Sequence, residues 1–225
     1  MGINIKEKDR ILVVAPHPDD ESIGCGGLLA IYAKQCDVLV ITDGDNKTIP
    51  NLADIREQEL KCALDLANVS RVQCLRIPEH HIKEHVKRIK DFGFENYDHV
   101  FVPNRYDAHK DHVIVYRIIK KFLSKNSKLY EYEVWSPLRK PNIYLDITDV
   151  EKRKTAMINC HESQVKVIDY VGMIMGLNAY RGRGHGYPYA ECYYCKFERM
   201  QEIKRRIKRK GLGMIYNLQY RGVNK

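Results

Sequence analysis

The chain has 225 residues, with 38 Lys or Arg against 29 Asp or Glu, for a net charge of +9. Hydrophobic residues make up 44% and charged residues 30%, which argues against disorder and supplies enough apolar material for a core without covalent staples. The longest apolar runs, residues 11–15 and 38–41, fall far short of the roughly 20 residues a membrane-spanning helix needs. No apolar segment follows the start, so no secretory signal is expected, and the seven cysteines read as reduced thiols of a cytoplasmic protein.

The excess charge is local. Residues 196–225 carry ten basic and two acidic side chains, whereas the preceding 195 carry 28 basic and 27 acidic. The body is close to neutral, so no specific nucleic-acid partner is expected. The basic tail is a candidate for weak peripheral contact with anionic lipid head groups, or for a solvated face over the apolar stripe Phe197, Met200, Ile203 and Ile207.

Strand-type and helix-type segments alternate along the chain. Residues 10–15 form a first buried strand, 26–34 a helix, 37–42 a second strand and 53–66 a helix with Ile55, Leu60, Ala63 and Leu64 at helical spacing. Residues 72–77 predict a third strand, 81–91 a helix, 99–102 a fourth strand and 112–123 a helix. Later strands are expected at 130–135 and 143–147, with helices at 150–159 and 196–209. Continuous apolar strands separated by helices predict a Rossmann-like, doubly wound α/β fold. Its sheet is mostly parallel, with helices on both faces, in a single domain over residues 1–225.

Two loops concentrate chemistry. The first, Ala15-Pro16-His17-Pro18-Asp19-Asp20-Glu21, directly follows the first strand, where open α/β sheets place their sites. Crowded carboxylates repel, and a bound cation relieves that repulsion. His with Asp suits zinc or another first-row divalent ion. The second loop, Asp107-Ala108-His109-Lys110-Asp111-His112, follows the fourth strand and opens a helix, so His109 and His112 share one face. Asp111 is placed to orient a histidine from behind. Strands one and four are neighbours in the common doubly wound order, so the two loops should converge. Gly24-Cys25-Gly26-Gly27 lacks the third glycine of a dinucleotide loop and reads as a close-packing signal.

The sequence resembles the LmbE-like, PIG-L-type zinc-dependent N-deacetylase superfamily. The resemblance rests on APHPDDE at 15–21 and HKDH at 109–112. Thr42-Asp43-Gly44, Arg56 with Glu59, Ser163-Gln164 and Tyr189-Ala190-Glu191 support it. It implies zinc held by His17, Asp20 and His112, with Asp19 as general base and His109 as oxyanion stabiliser or acid. It also implies that Arg56 faces the substrate, an N-acetylated amino sugar or glycoconjugate. Where some members carry an oxyanion tyrosine, this chain has Asp107. Arg181, in the glycine-rich and cationic stretch 181–186, is a further candidate substrate contact, on a lid or a surface loop. The competing readings are a non-catalytic nucleotide-sugar or nucleic-acid binding module and a metal-dependent phosphoesterase. The single pair Cys192 and Cys195 reads as buried thiols, and His80 and His81 as surface residues.

Overall fold

The computed structural model describes residues 2–47, 49–197, 200, 201, 203 and 204. Seven strands form one sheet: β1 (Ile11–Ala15), β2 (Cys36–Thr42), β3 (Arg71–Ile77), β4 (His99–Pro103), β5 (Lys128–Tyr132), β6 (Ile143–Asp146) and β7 (Ala190–Cys195). Their order is β3-β2-β1-β4-β5-β7-β6. The first five run parallel, while β7 pairs antiparallel with both β5 and β6. The expected mostly parallel α/β fold is therefore the observed one.

The strands β1, β2 and β4 are almost wholly buried, and successive residues face opposite cores. Ile11, Val13 and Ala15 point into the core that also holds residues of helices α1 (Asp20–Tyr32), α2 (Leu52–Ala67) and α5 (Glu151–Cys160). Leu12 and Val14 point into the opposite core, beneath α3 (Val86–Lys90) and α4 (Lys110–Phe122). Two-sided burial explains why these strands read as continuous apolar runs rather than alternating ones. Two further helices, α6 (Glu162–Val165) and α7 (Tyr170–Arg183), follow α5.

Several boundaries differ from expectation. The first helix begins at Asp20 rather than residue 26, so Gly24, Gly26 and Gly27 lie inside it. A Cβ on these three glycines would meet Tyr132, Lys154 and Ile147, so the glycines serve close packing. The segment 81–91 splits into a 3-10 turn at Ile82–His85 and the short α3. The fifth strand ends at Tyr132, not residue 135, because Glu133 turns back to accept the Leu138 N–H at 2.6 Å. Helix α7 and strand β7 are additional to the expected elements.

Lys154 and Glu191, both fully buried, pair at 2.7 Å. Glu191 also accepts the N–H groups of Gly27 and Leu28, tying β7 to α1. Among the described residues no helix is long and apolar enough to cross a membrane. Of the expected tail helix, Phe197, Met200 and Ile203 are about half exposed, and Ile207 with most of the basic residues lies outside the described residues.

Candidate active site

The site forms where β1 and β4 lie side by side, and the loops following them meet as their placement requires. The β1 loop is braced from β2, because Thr42 donates from both N and Oγ1 to the Pro16 carbonyl at 2.9 and 2.8 Å. Asp19 takes φ 156°, ψ −30°, an unusual backbone for a non-glycine residue. Its N–H donates to Glu21 at 3.0 Å, which holds the turn. Strain of this kind costs of order 1–3 kcal/mol and concentrates at functional sites.

Three donor atoms face one point. His17 Nδ1 and His112 Nε2 each lie 3.1 Å from Asp20 Oδ2 and 3.3 Å from one another. Atoms bound at about 2.0–2.1 Å to a tetrahedral ion stand roughly 3.3 Å apart, so the triangle has the edge lengths of a zinc face. All three residues are buried. The far nitrogens complete the pattern. His112 Nδ1 stands 3.3 Å from Asp107 Oδ1, and His17 Nε2 stands 3.6 Å from Asp111 and 3.7 Å from Glu79. Neither nitrogen makes a closer hydrogen bond. Protons on these outer nitrogens, facing carboxylates, leave the inner lone pairs free for a metal.

Electrostatics favour positive charge at this point. Burial opposes charge on His17, but hydrogen bonds to Asp111 and Asp20 outweigh it and push its pKa up to about 9. Burial likewise opposes charge on His112, while Asp20 and Asp107 raise it to about 10. Asp20, although buried, is held well below the usual carboxylate range by His112 and His17. A divalent ion supplies the charge that the two imidazoles would otherwise acquire as protons. The residues present therefore fit a divalent metal.

His17, His109 and His112 also each offer a nitrogen within 4.8 Å of the others. His109 differs from the other two in its bonding. It caps α4, with Nδ1 accepting the Asp111 N–H at 3.3 Å. With Nδ1 accepting that bond, the neutral ring carries its proton on Nε2.

A cavity of about 130 Å³ opens here, lined by His17, Asp19, Asp20, Arg56, His109 and Trp135, among others. Burial pushes the Asp19 pKa up to about 6, with Arg56 opposing and Asp20 assisting. Arg56 Nη2 lies 3.0 Å from Asp19, and its two Nη atoms donate to the Gly44 and Pro18 carbonyls at 3.0 and 3.1 Å. Arg56 thus grips the loop bearing Asp19 as well as lining the cavity. Gly44 sits at φ +63°, and a Cβ there would come within 2.7 Å of the Arg56 guanidinium, so glycine is needed.

The supporting motifs have physical roles. Glu59 accepts from Ser163 N and Oγ, both at 2.7 Å, which joins α2 to the segment carrying the cavity residue Gln164. His161 Nε2 lies 3.2 Å from Glu21 Oε1. Arg181 is placed elsewhere than expected. It lies in α7, not in a lid, and its guanidinium is held by Glu133 at 2.5 Å and the Leu138 carbonyl at 2.8 Å, away from the cavity. Asp107, Glu79 and His161 are partners of the site whose roles no local sequence signal marks. His80, expected at the surface, is exposed yet stacks on His109 with ring centroids 6.3 Å apart.

The site is a two-histidine, one-carboxylate triangle at the switch point of a doubly wound, mostly parallel α/β sheet. Residues 12–123 form a PIG-L family domain, the family described as GlcNAc-PI de-N-acetylase. Solved structures share the fold. N,N'-diacetylchitobiose deacetylase from Pyrococcus horikoshii is 22% identical, with a TM-score of 0.70 over 83% of this chain and 83% of that one. A conserved protein of Thermus thermophilus is 22% identical, with a TM-score of 0.69 over 84% of this chain and 94% of that one. A 4-carboxy-2-hydroxymuconate hydratase from Pseudomonas putida is 19% identical, with a TM-score of 0.69 over 83% of this chain and 96% of that one.

Proposed function

We propose that the chain is a zinc-dependent N-deacetylase that removes an acetyl group from an N-acetylated amino sugar or its conjugate. The carrying observation is the triangle of His17 Nδ1, Asp20 Oδ2 and His112 Nε2, open to a cavity lined by a buried carboxylate, Asp19. The family description, which names a de-N-acetylase, supports the same chemistry. The fold alone does not choose, since it is shared with a hydratase.

His17, Asp20 and His112 would hold the metal, which supplies Lewis acidity and lowers the pKa of water toward roughly 7. Asp19 is a cavity carboxylate outside the ligand triangle. It accepts the proton of the attacking water, with Arg56 fixing its direction. His109 donates from Nε2 to the oxygen on which negative charge develops, the position an oxyanion donor requires. The amine must leave protonated, and the proton collected at Asp19 is available for that transfer. Trp135 and Tyr170, in edge contact with centroids 5.5 Å apart, form an aromatic wall suited to a sugar face.

A panel of N-acetylated sugars, assayed for released acetate before and after chelation, tests the reading. The expected result is about one zinc per chain, acetate release from at least one sugar, and loss of release on chelation. Full activity in metal-free protein, or zinc binding with no acetate from any sugar, would overturn it. The free cysteines are consistent with action in the cytoplasm.

A further inference from the structure

We infer that a groove beside the acetyl-binding cavity receives an anionic substituent of the substrate, a phosphate or a carboxylate carried on the sugar. The inference rests on the sugar-deacetylase reading above. The groove has a volume of about 280 Å³ and is lined by Arg105, Tyr106, Leu138, Arg139, Lys140 and Tyr194, with Glu131 beneath.

Two loops build both the cavity and the groove. Asp107 Oδ2 accepts the N–H groups of Trp135 and Ser136, each at 3.2 Å. Ala108 N donates to Ser136 Oγ at 2.9 Å, and Asn104 Nδ2 to the Ser136 carbonyl at 2.7 Å. These bonds clasp residues 104–109 to residues 133–140. His109 and Trp135 line the cavity, while Tyr106 and Leu138 line the groove. A conjugate with its acetamido group in the cavity has the groove as its next recess across the clasp.

The groove's charges are unequal in kind. Arg105 is neutralised by Glu131, which accepts from its Nε at 2.9 Å, and its guanidinium lies over the Tyr116 and Tyr194 rings at 5.2 and 5.4 Å. It is a fixed part of the wall. Arg139 and Lys140 are exposed and make no hydrogen bond or ion pair with a described residue. They leave the groove with two uncompensated positive charges. Tyr106 is 78% exposed at the crest, an aromatic face that packs no core. Unpaired cations beside an exposed aromatic ring suit a charged sugar better than a neutral one.

The test compares the zinc-loaded wild type with the Arg139→Gln/Lys140→Gln double variant. Calorimetry measures binding of glucosamine 1-phosphate, muramic acid and glucosamine, and kinetics follow the matching N-acetylated sugars. The anionic sugars should bind about tenfold tighter than glucosamine, and added salt should reduce that preference. The double variant should lose the preference and keep its kcat on neutral N-acetylglucosamine. A preference for the phosphate alone or for both anions supports the groove as an anion site and identifies which anion it takes. Equal affinity for charged and neutral sugars, or a preference unchanged in the variant, would overturn the inference. Charge-dependent binding without acetate release from any sugar would sink the deacetylase reading and leave the groove standing.

Discussion

The Asp19 carboxylate lies 3.0 Å from the Arg56 guanidinium, and both residues are buried at the cavity. The pair sets a titration. Burial raises the Asp19 pKa and Arg56 holds it down. A general base acts only when ionised, so activity should rise with pH as Asp19 deprotonates. Arg56→Met removes the stabilising cation and should move this acidic limb of the kcat profile to higher pH. An unmoved limb would show that another group sets it.

Asp19 and Asp20 are adjacent and chemically identical, yet only Asp20 touches both His17 and His112. Asp20→Ala should lose zinc. Asp19→Asn should keep zinc and lose roughly 10²–10⁴-fold in kcat. Zinc content and kcat measured on both variants decide the assignment, which fails if Asp19→Asn loses its metal.

The two histidines of the second loop should separate in the same way. His112→Ala should abolish metal binding, whereas His109→Ala should retain metal and lose rate. Asp107→Asn weakens the support behind His112 Nδ1 and should cost about 10–100-fold in metal affinity. Affinity should also fall as pH is lowered, because protons compete for the same nitrogens. Competition with a chromogenic chelator across a pH series reads all of these.

His161 and Glu21 form a buried pair behind the site. Burial opposes charge on His161, and Glu21 outweighs it, so the folded pKa lies above the ordinary 6.5. The stabilisation is therefore complete below pH 6.5 and is lost as pH climbs through the folded value. Glu21→Gln should flatten this dependence and lower the His161 pKa in an NMR titration. A wild-type stability that rises across that window would contradict the assignment.

The Lys154–Glu191 pair should be costly to break. Lys154→Met leaves Glu191 buried without its cation and should destabilise the fold by about 3–5 kcal/mol. Removing both charges together should cost less than removing Lys154 alone. Urea denaturation of the single and double variants measures the difference.

The parallel half of the fold was legible because its strands are buried on both faces and their apolar runs are unbroken. Convergence of the two loops followed from β1 and β4 being neighbours. The later elements were hidden by composition. In α7, YVGMIMGLNAYRGR, three glycines depress helix propensity. In β7, AECYYC, a buried glutamate interrupts the apolar pattern, and its partners Lys154, Gly27 and Leu28 lie 37 or more residues earlier in the chain. The start of α1 was misplaced for a related reason, since its glycines are explained by Tyr132, Ile147 and Lys154. Arg181 was assigned to substrate because its partner Glu133, 48 residues away, is not a local signal. Sequence-local chemistry was readable, and support supplied across the fold was not.

The bonds from Gly27 and Leu28 to Glu191 also govern when the site can form. Glu191 follows Gly27 by 164 residues, so a chain emerging from its amino end makes both site loops, 15–21 and 107–112, long before the strand that secures α1. Contacts of such separation are late and slow to form. During synthesis, the helix bearing Asp20 must wait for β7 to be secured, so completion of the site falls late in the protein's maturation.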